Sequence, residues 1–171
     1  MILSKKEIFK EIGKGALKIT PFDAASVGEC SVDLRLGNEF RVFKKQKTLE
    51  ITEEPFLWEK QSKKTVLKKG KALVLKPNQL VLGLTLEKIK MPKHLCGFIE
   101  GRSRFARVGL LVHVSSGLIQ PGVENKQVLE IVNLSPTNIS LKPGLRICQV
   151  LFEQITSPEM HLGVFAKQDG I

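Results

Sequence analysis

Two segments of this sequence hold side chains that could do chemistry. The first reads Gly101-Arg102-Ser103-Arg104-Phe105-Ala106-Arg107-Val108-Gly109, with arginines clustered around a hydroxyl and a glycine at each end. Glycines let backbone N–H groups turn toward a ligand, and a guanidinium fork matches phosphate oxygens. A charged turn capping a short helix would have the same composition, and both readings stand at this point. The second segment runs from Gly117-Leu118-Ile119-Gln120-Pro121-Gly122-Val123 into Val128-Leu129-Glu130-Ile131-Val132-Asn133. Glu130 interrupts an apolar strand pattern, where an isolated buried charge is costly, so its carboxylate needs a partner or a function. Alternation offers the plainer account: Leu129 and Ile131 face the core while Val128, Glu130 and Val132 face the other way. If that other side is a cleft, the carboxylate suits acid–base work.

Metal chemistry has no local support. His94, His113 and His161 are scattered, as are Cys30, Cys96 and Cys148, with no CxxC, no HExxH and no HxE followed by PCxxC. Three separated cysteines suit a reducing compartment rather than a disulfide framework. The 171 residues are 42% hydrophobic and 26% charged, which fits one soluble domain and excludes disorder along the whole chain. No apolar run approaches the ~20 residues of a membrane span, and MILSKKEIF does not read as a signal peptide, so a cytoplasmic location is expected. The net charge is +10, concentrated in Lys44–Lys47 and Lys60–Lys71. That excess suits a polyanion or, more simply, a solvated lysine-rich edge. With no Tyr and one Trp, the chain lacks the basic–aromatic alternation that stacks nucleic-acid bases.

The elements that must position these groups are mostly strands. Ser4-Lys5-Lys6-Glu7 predicts a capping box, with Ile8, Phe9 and Ile12 on one helical face and Gly13 as the stop. From residue 31 the period changes to two: Val32, Leu34 and Leu36 predict a strand, Gly37-Asn38 a turn, and Phe40 and Val42 the return strand. Further short strands are expected at Ala72–Leu75, Leu80–Leu84, Leu95–Ile99, Leu110–Val114, Val128–Val132, Ile139–Leu141 and Ile147–Phe152. Pro and Gly turns separate them, which indicates an all-β sandwich, jelly roll or barrel.

Taken in order, these segments resemble the dCTP deaminase family, a branch of the trimeric dUTPase-like proteins. MILSKKEI with ITPF, and CSVDLRLGNEFRVF, are similar to its N-terminal signature. GRSRFARVGLLVH is similar to its phosphate and base loop, SSGLIQPGVENKQVLEIVN to its catalytic hairpin, and LKPGLRICQVLFE to its closing turn and strand. The resemblance implies a distorted jelly roll of the dUTPase-like β-clip type with a short N-terminal helix, as one domain over residues 1–171 whose tail, 157–171, is a mobile arm. It implies a homotrimer with active sites at subunit interfaces, no membrane and no specific nucleic acid. Glu130 falls on the general acid/base, assisted by Ser103 and Arg107. Arg102, Ser103, Arg104, Phe105, Ala106 and Arg107 fall on the triphosphate and base loop. Gln120 falls beside the sugar, Val128 and Leu129 where backbone groups read the pyrimidine, and Gln149 and Gln168 on further nucleotide contacts. Mg2+ would arrive on the triphosphate, with no protein ligand assigned.

The reaction implied is hydrolytic deamination of dCTP to dUTP and ammonia. The alternatives are a bifunctional enzyme that continues to dUMP, and a non-catalytic nucleotide-binding trimer. The small Ser115-Ser116-Gly117 turn speaks for the bifunctional form. Departures from the family pattern cut the other way. Arg104 stands where a Ser is common, Gln120 where an Asp is common and Val164 where a Lys is common, and the arm has no tyrosine. Gln120 can hydrogen-bond a hydroxyl but cannot take a proton from water, so the expected product is dUTP.

Overall fold

The computed structural model describes residues 1–51, 58–163 and 165–171; Val164, one of the departures noted above, lies outside them. Helix α1 spans Lys5–Gly13. At its start the Glu7 carboxylate accepts both the Ser4 N–H (2.9 Å) and the Ser4 hydroxyl (3.0 Å), which fixes the first turn. Ile8 is fully buried, while Phe9 lies edge-on to Phe22 near the surface.

The described residues form eleven strands: β1 (Lys18–Thr20), β2 (Val32–Phe43), β3 (Ser62–Val66), β4 (Leu73–Leu75), β5 (Leu80–Lys90), β6 (Leu95–Gly101), β7 (Leu110–Val112), β8 (Leu118–Ile119), β9 (Glu124–Asn133), β10 (Ile139–Leu141) and β11 (Arg146–Gln154). A second short helix, α2 (Ser103–Ala106), joins β6 to β7. The main sheet runs β7-β9-β5-β2-β11-β6-β8, with β1 added on β5 and β3 on β2, and β4 pairs separately with β10. The pairings are antiparallel, and the sheet curls round a core that includes Leu34, Phe40, Leu129, Ile131, Val150 and Phe152. This is the all-β, jelly-roll-like architecture expected, with the one short N-terminal helix.

One local expectation fails. Gly37-Asn38 is not a turn between two strands, because β2 continues through it. At that point β2 exchanges its partner: Val32–Arg35 pair with β11, whereas Leu36 and Phe40–Val42 pair with β5. The register with β5 shifts between Leu36 and Phe40, and a Cβ on Gly37 would sit 2.8 Å from the Leu84 carbonyl oxygen. Glycine marks close backbone approach inside a long curled strand, and such a site carries the same residue types as a tight turn. β3 and the partner-poor β1 and β8 escaped the sequence pattern. Among the described residues β3 pairs with β2 alone and exposes Lys63 and Lys64, so this part of the basic segment is a lysine-guarded edge.

Asn133, fully buried at the end of β9, ties the sheet to the arginine segment. Its amide donates to the Leu75 and Thr137 carbonyls (3.0 and 2.8 Å), and its carbonyl accepts from the Ser135 N–H and hydroxyl (2.9 and 2.7 Å). The next residue, Leu134, donates its N–H to the Gly109 carbonyl at 2.8 Å. Gly109 has φ of +80°, and a Cβ there would lie 2.8 Å from the Ser135 nitrogen, so no other residue fits without strain. Removing the Asn133 side chain takes a donor from the Leu75 carbonyl in the core and an acceptor from the Ser135 N–H and hydroxyl. Asn133→Ala should therefore lower the free energy of unfolding by roughly 2–4 kcal/mol. In the same urea titration, Asn138→Ala on the exposed turn should change it by less than about 0.5 kcal/mol.

Candidate active site

β9 shows the alternation read from the sequence: Gln127, Leu129, Ile131 and Asn133 are buried, while Lys126, Val128, Glu130 and Val132 are only half-buried. The outward side is not bulk solvent at every position. A cavity of about 610 Å3 opens there, lined by Glu130, Val128, Gln120 and Gln168 among others, with Leu118, Ile119 and Val123 supplying apolar wall. Both accounts of Glu130 therefore hold together: it alternates out of the core, and what it faces is a cleft.

The Glu130 carboxylate is fixed by the turn after β7. It accepts the Val114 N–H at 3.0 Å, the Ser115 N–H at 2.8 Å and the Ser115 hydroxyl at 2.9 and 3.0 Å. The turn is set by His113, whose φ is +63° and whose N–H donates to the Glu130 carbonyl at 2.7 Å. The His113 ring lines the same cavity, and neither ring nitrogen meets a hydrogen-bond partner among the described residues.

Beyond Glu130, β9 loses β7. The last β7 pair is Val112 with Ile131, and His113 turns the chain away. Further along, the C-terminal segment takes the same edge: the Lys126 N–H donates to the Gln168 carbonyl at 3.0 Å and the Glu124 N–H to the Ala166 carbonyl at 2.8 Å. Ladder parity aims the N–H and C=O of alternate β9 residues at this edge. Val128 therefore presents its donor and acceptor between the two segments, in a gap that neither fills. The segment is held further by the Asn125 amide on the Phe165 carbonyl (2.7 Å) and by Lys88 on Asp169 (3.0 Å).

The arginine segment stands apart from this cavity in the single chain. On α2, Ser103, Arg104, Ala106 and the following Arg107 are exposed, while Phe105 anchors the helix on the core. Arg104 lies over the Phe105 ring at 5.7 Å. Arg102 points toward β2 and β11, with one nitrogen 3.3 Å from the Asp33 carboxylate and another donating to the Arg146 carbonyl at 3.1 Å. Arg146 in turn reaches Asp23 at 3.0 Å, and the Ala25 N–H with this guanidinium holds the Asp23 carboxyl below the ordinary carboxylate range. Gln149 also lies away from the cavity, accepting the Ser31 hydroxyl at 2.9 Å. Of the residues singled out in the sequence, one chain thus gathers Glu130, Val128, Gln120 and Gln168, with Leu129 buried behind them, and leaves Arg102–Arg107 and Gln149 elsewhere.

Sequence reading did not assign Ser115, whose hydroxyl and N–H hold the carboxylate, or His113 and His161 in the cavity wall. The signal for Ser115 was its place in a small-residue turn just ahead of the Glu130 hairpin. For His113 there was none, since an αL backbone at a histidine leaves no mark in the sequence.

The chain as a whole is similar to known proteins. The family model described as dCTP deaminase-like matches residues 2–155. The chain is 38% identical over 160 residues to the "dCTP deaminase, dUMP-forming" of Methanobrevibacter smithii, covering 92% of this chain and 82% of that one. It is 36% identical over 172 residues to the protein of the same name from Sulfurihydrogenibium, covering 99% and 94%. The 2'-deoxycytidine 5'-triphosphate deaminase from Agrobacterium tumefaciens shares the fold, with a TM-score of 0.68 at 19% identity, over 88% of this chain and 47% of that one.

The tail's pairing with β9 can be tested directly. Removing residues 160–171 deprives the Glu124 and Lys126 amides of their acceptors. One lost hydrogen bond of about 1 kcal/mol should speed hydrogen exchange at these two amides roughly fivefold. The Leu129 and Ile131 amides, which face β5, should keep their protection.

Proposed function

On the premise that the chain belongs to the dCTP deaminase-like family, we propose that it deaminates dCTP hydrolytically and releases dUMP. One observation carries the deaminase half: a carboxylate, Glu130, fixed beside the open backbone pair of Val128 in a cavity of nucleotide size. Cytosine suits that pair, because its edge offers acceptors to the Val128 N–H and an amino group to the Val128 carbonyl. The relatives' names support dUMP over dUTP as product, so the bifunctional alternative replaces the simpler expectation.

Hydrolysis at cytosine C4 asks for a proton taken from the attacking water, a proton delivered to the ring, and departure of the amino group as ammonia. A single carboxylate can serve each step in turn. The Val114 and Ser115 donors hold Glu130 against the cavity wall, so its reach is set by the turn and not by side-chain rotation. Gln120 and Gln168 line the cavity, and on this reading Gln120 meets the sugar while Gln168, on the tail, closes over the nucleotide. Mg2+ travels with the substrate on its triphosphate.

The exposed α2 helix supports a shared site. A homotrimer would bring Ser103 and Arg107 of one copy to the Glu130 cavity of the next, with Arg102, Arg104, Phe105 and Ala106 completing the loop around base and triphosphate. Gln149 would join from the subunit contact. Among the described residues no helix is long and apolar enough to cross a membrane. The three unpaired cysteines are consistent with a cytoplasmic placement.

Two experiments test this. Glu130→Gln keeps the shape but cannot exchange a proton, so ammonia release from dCTP should fall by ~10²–10⁴ while nucleotide binding persists. Near wild-type release would remove the mechanism. Next, Glu130→Gln and Arg107→Ala chains, each inactive alone, should recover part of the activity when unfolded and refolded together. Light scattering of the wild type should give a trimeric mass, and a monomer at micromolar concentration would remove the shared site.

A further inference from the structure

We infer that His161 is the general base of the phosphate step, taking the place of the carboxylate that residue 120 lacks. This rests on the reading that dUMP is the product. Forming dUMP from dUTP requires water to bond to the α-phosphorus while the bond from that phosphorus to the bridging oxygen breaks. Pyrophosphate leaves with the electron pair, and the attacking water must lose a proton.

The described residues lining the cavity include three groups with a lone pair suited to that proton: Glu130, His113 and His161. The first two belong to one end. Glu130 is held by the Val114–Ser115 turn, and His113 is the residue before it, bonded through its own N–H to the Glu130 carbonyl. His161 belongs to the other turn. Its N–H donates to the Pro121 carbonyl at 2.9 Å, which seats it next to Gln120, the residue that meets the sugar on the reading above. The 5' side of the sugar carries the α-phosphate, so this end of the cavity is where the second water must attack.

The ring has a built place. It lies over Gly163, where an added Cβ would collide with the imidazole Nε2 and Cε1. Gly163 thus leaves the space that the imidazole occupies. A neutral imidazole is a base that works near pH 7, which a glutamine amide is not. In the step, an imidazole nitrogen takes the water proton as the P–O bond forms, and the imidazolium later returns it to solvent. dUTP and water give dUMP and pyrophosphate.

The test follows both products from dCTP, using the full chain with Mg2+. Wild type should release ammonia and pyrophosphate in equal amounts. His161→Ala should keep ammonia release within about twofold of wild type, accumulate dUTP, and release pyrophosphate ~10²-fold or more slowly. Added imidazole should restore pyrophosphate release to His161→Ala, which a structural role would not allow. Gly163→Ala, by pushing the ring aside, should shift the product ratio in the same direction. Unchanged pyrophosphate release in His161→Ala overturns the assignment. So does its loss in Glu159→Gln with His161 intact, since Glu159 lines a smaller cavity on the far side of Gln120. Wild type that makes ammonia but no pyrophosphate overturns the dUMP reading, and this assignment with it.

Discussion

Everything at the site depends on how the free edge of β9 is shared. β5 seals one edge along Glu124–Lys90 to Val132–Leu80. The other edge is divided between β7, which stops at Ile131, and the tail, which reaches Lys126. A buried strand would normally be paired along its whole length, because an unpaired peptide group away from water is costly. The gap between the two segments opens into the cavity, which keeps these peptide groups within reach of solvent.

That division also explains the carboxylate. When β7 leaves the sheet at His113, its next two amides have no strand to bond, and they turn onto Glu130. The turn therefore satisfies its own backbone and immobilises an acidic side chain in the same step. Asn133 secures the far end of this arrangement. It locks the residues after β9 and, through Leu134, the glycine that closes the arginine segment. The arginines thus project from a rigid base even though their side chains are exposed.

Much of this was legible in the sequence, and the exceptions share a cause. Period-two patterns reported most strands, and the position of Glu130 between Leu129 and Ile131 reported its outward aim. What failed were features that depend on a second segment. Gly37 looks the same in a turn and at a partner change, since both need a backbone without a Cβ. Ser115 acquires its role only when its turn meets β9. The tail residue His161 carries no strand pattern, and its place comes from the Pro121 carbonyl in the turn ahead of β9. The ordered series of motifs pointed to the family and its fold where residue-by-residue reading left the two segments undecided, because several matched stretches constrain topology as no single one can.

The exposed donor and acceptor at Val128 are main-chain atoms, and this has a consequence for how the protein varies. Any side chain other than proline that tolerates the half-buried position leaves those two groups in place, so recognition there, on the proposed reading, is insulated from substitution. Alanine scanning would score Val128 as unimportant, and sequence drift at the position would be silent. Only a change in the peptide link itself, such as an ester in place of the amide nitrogen, would expose its contribution.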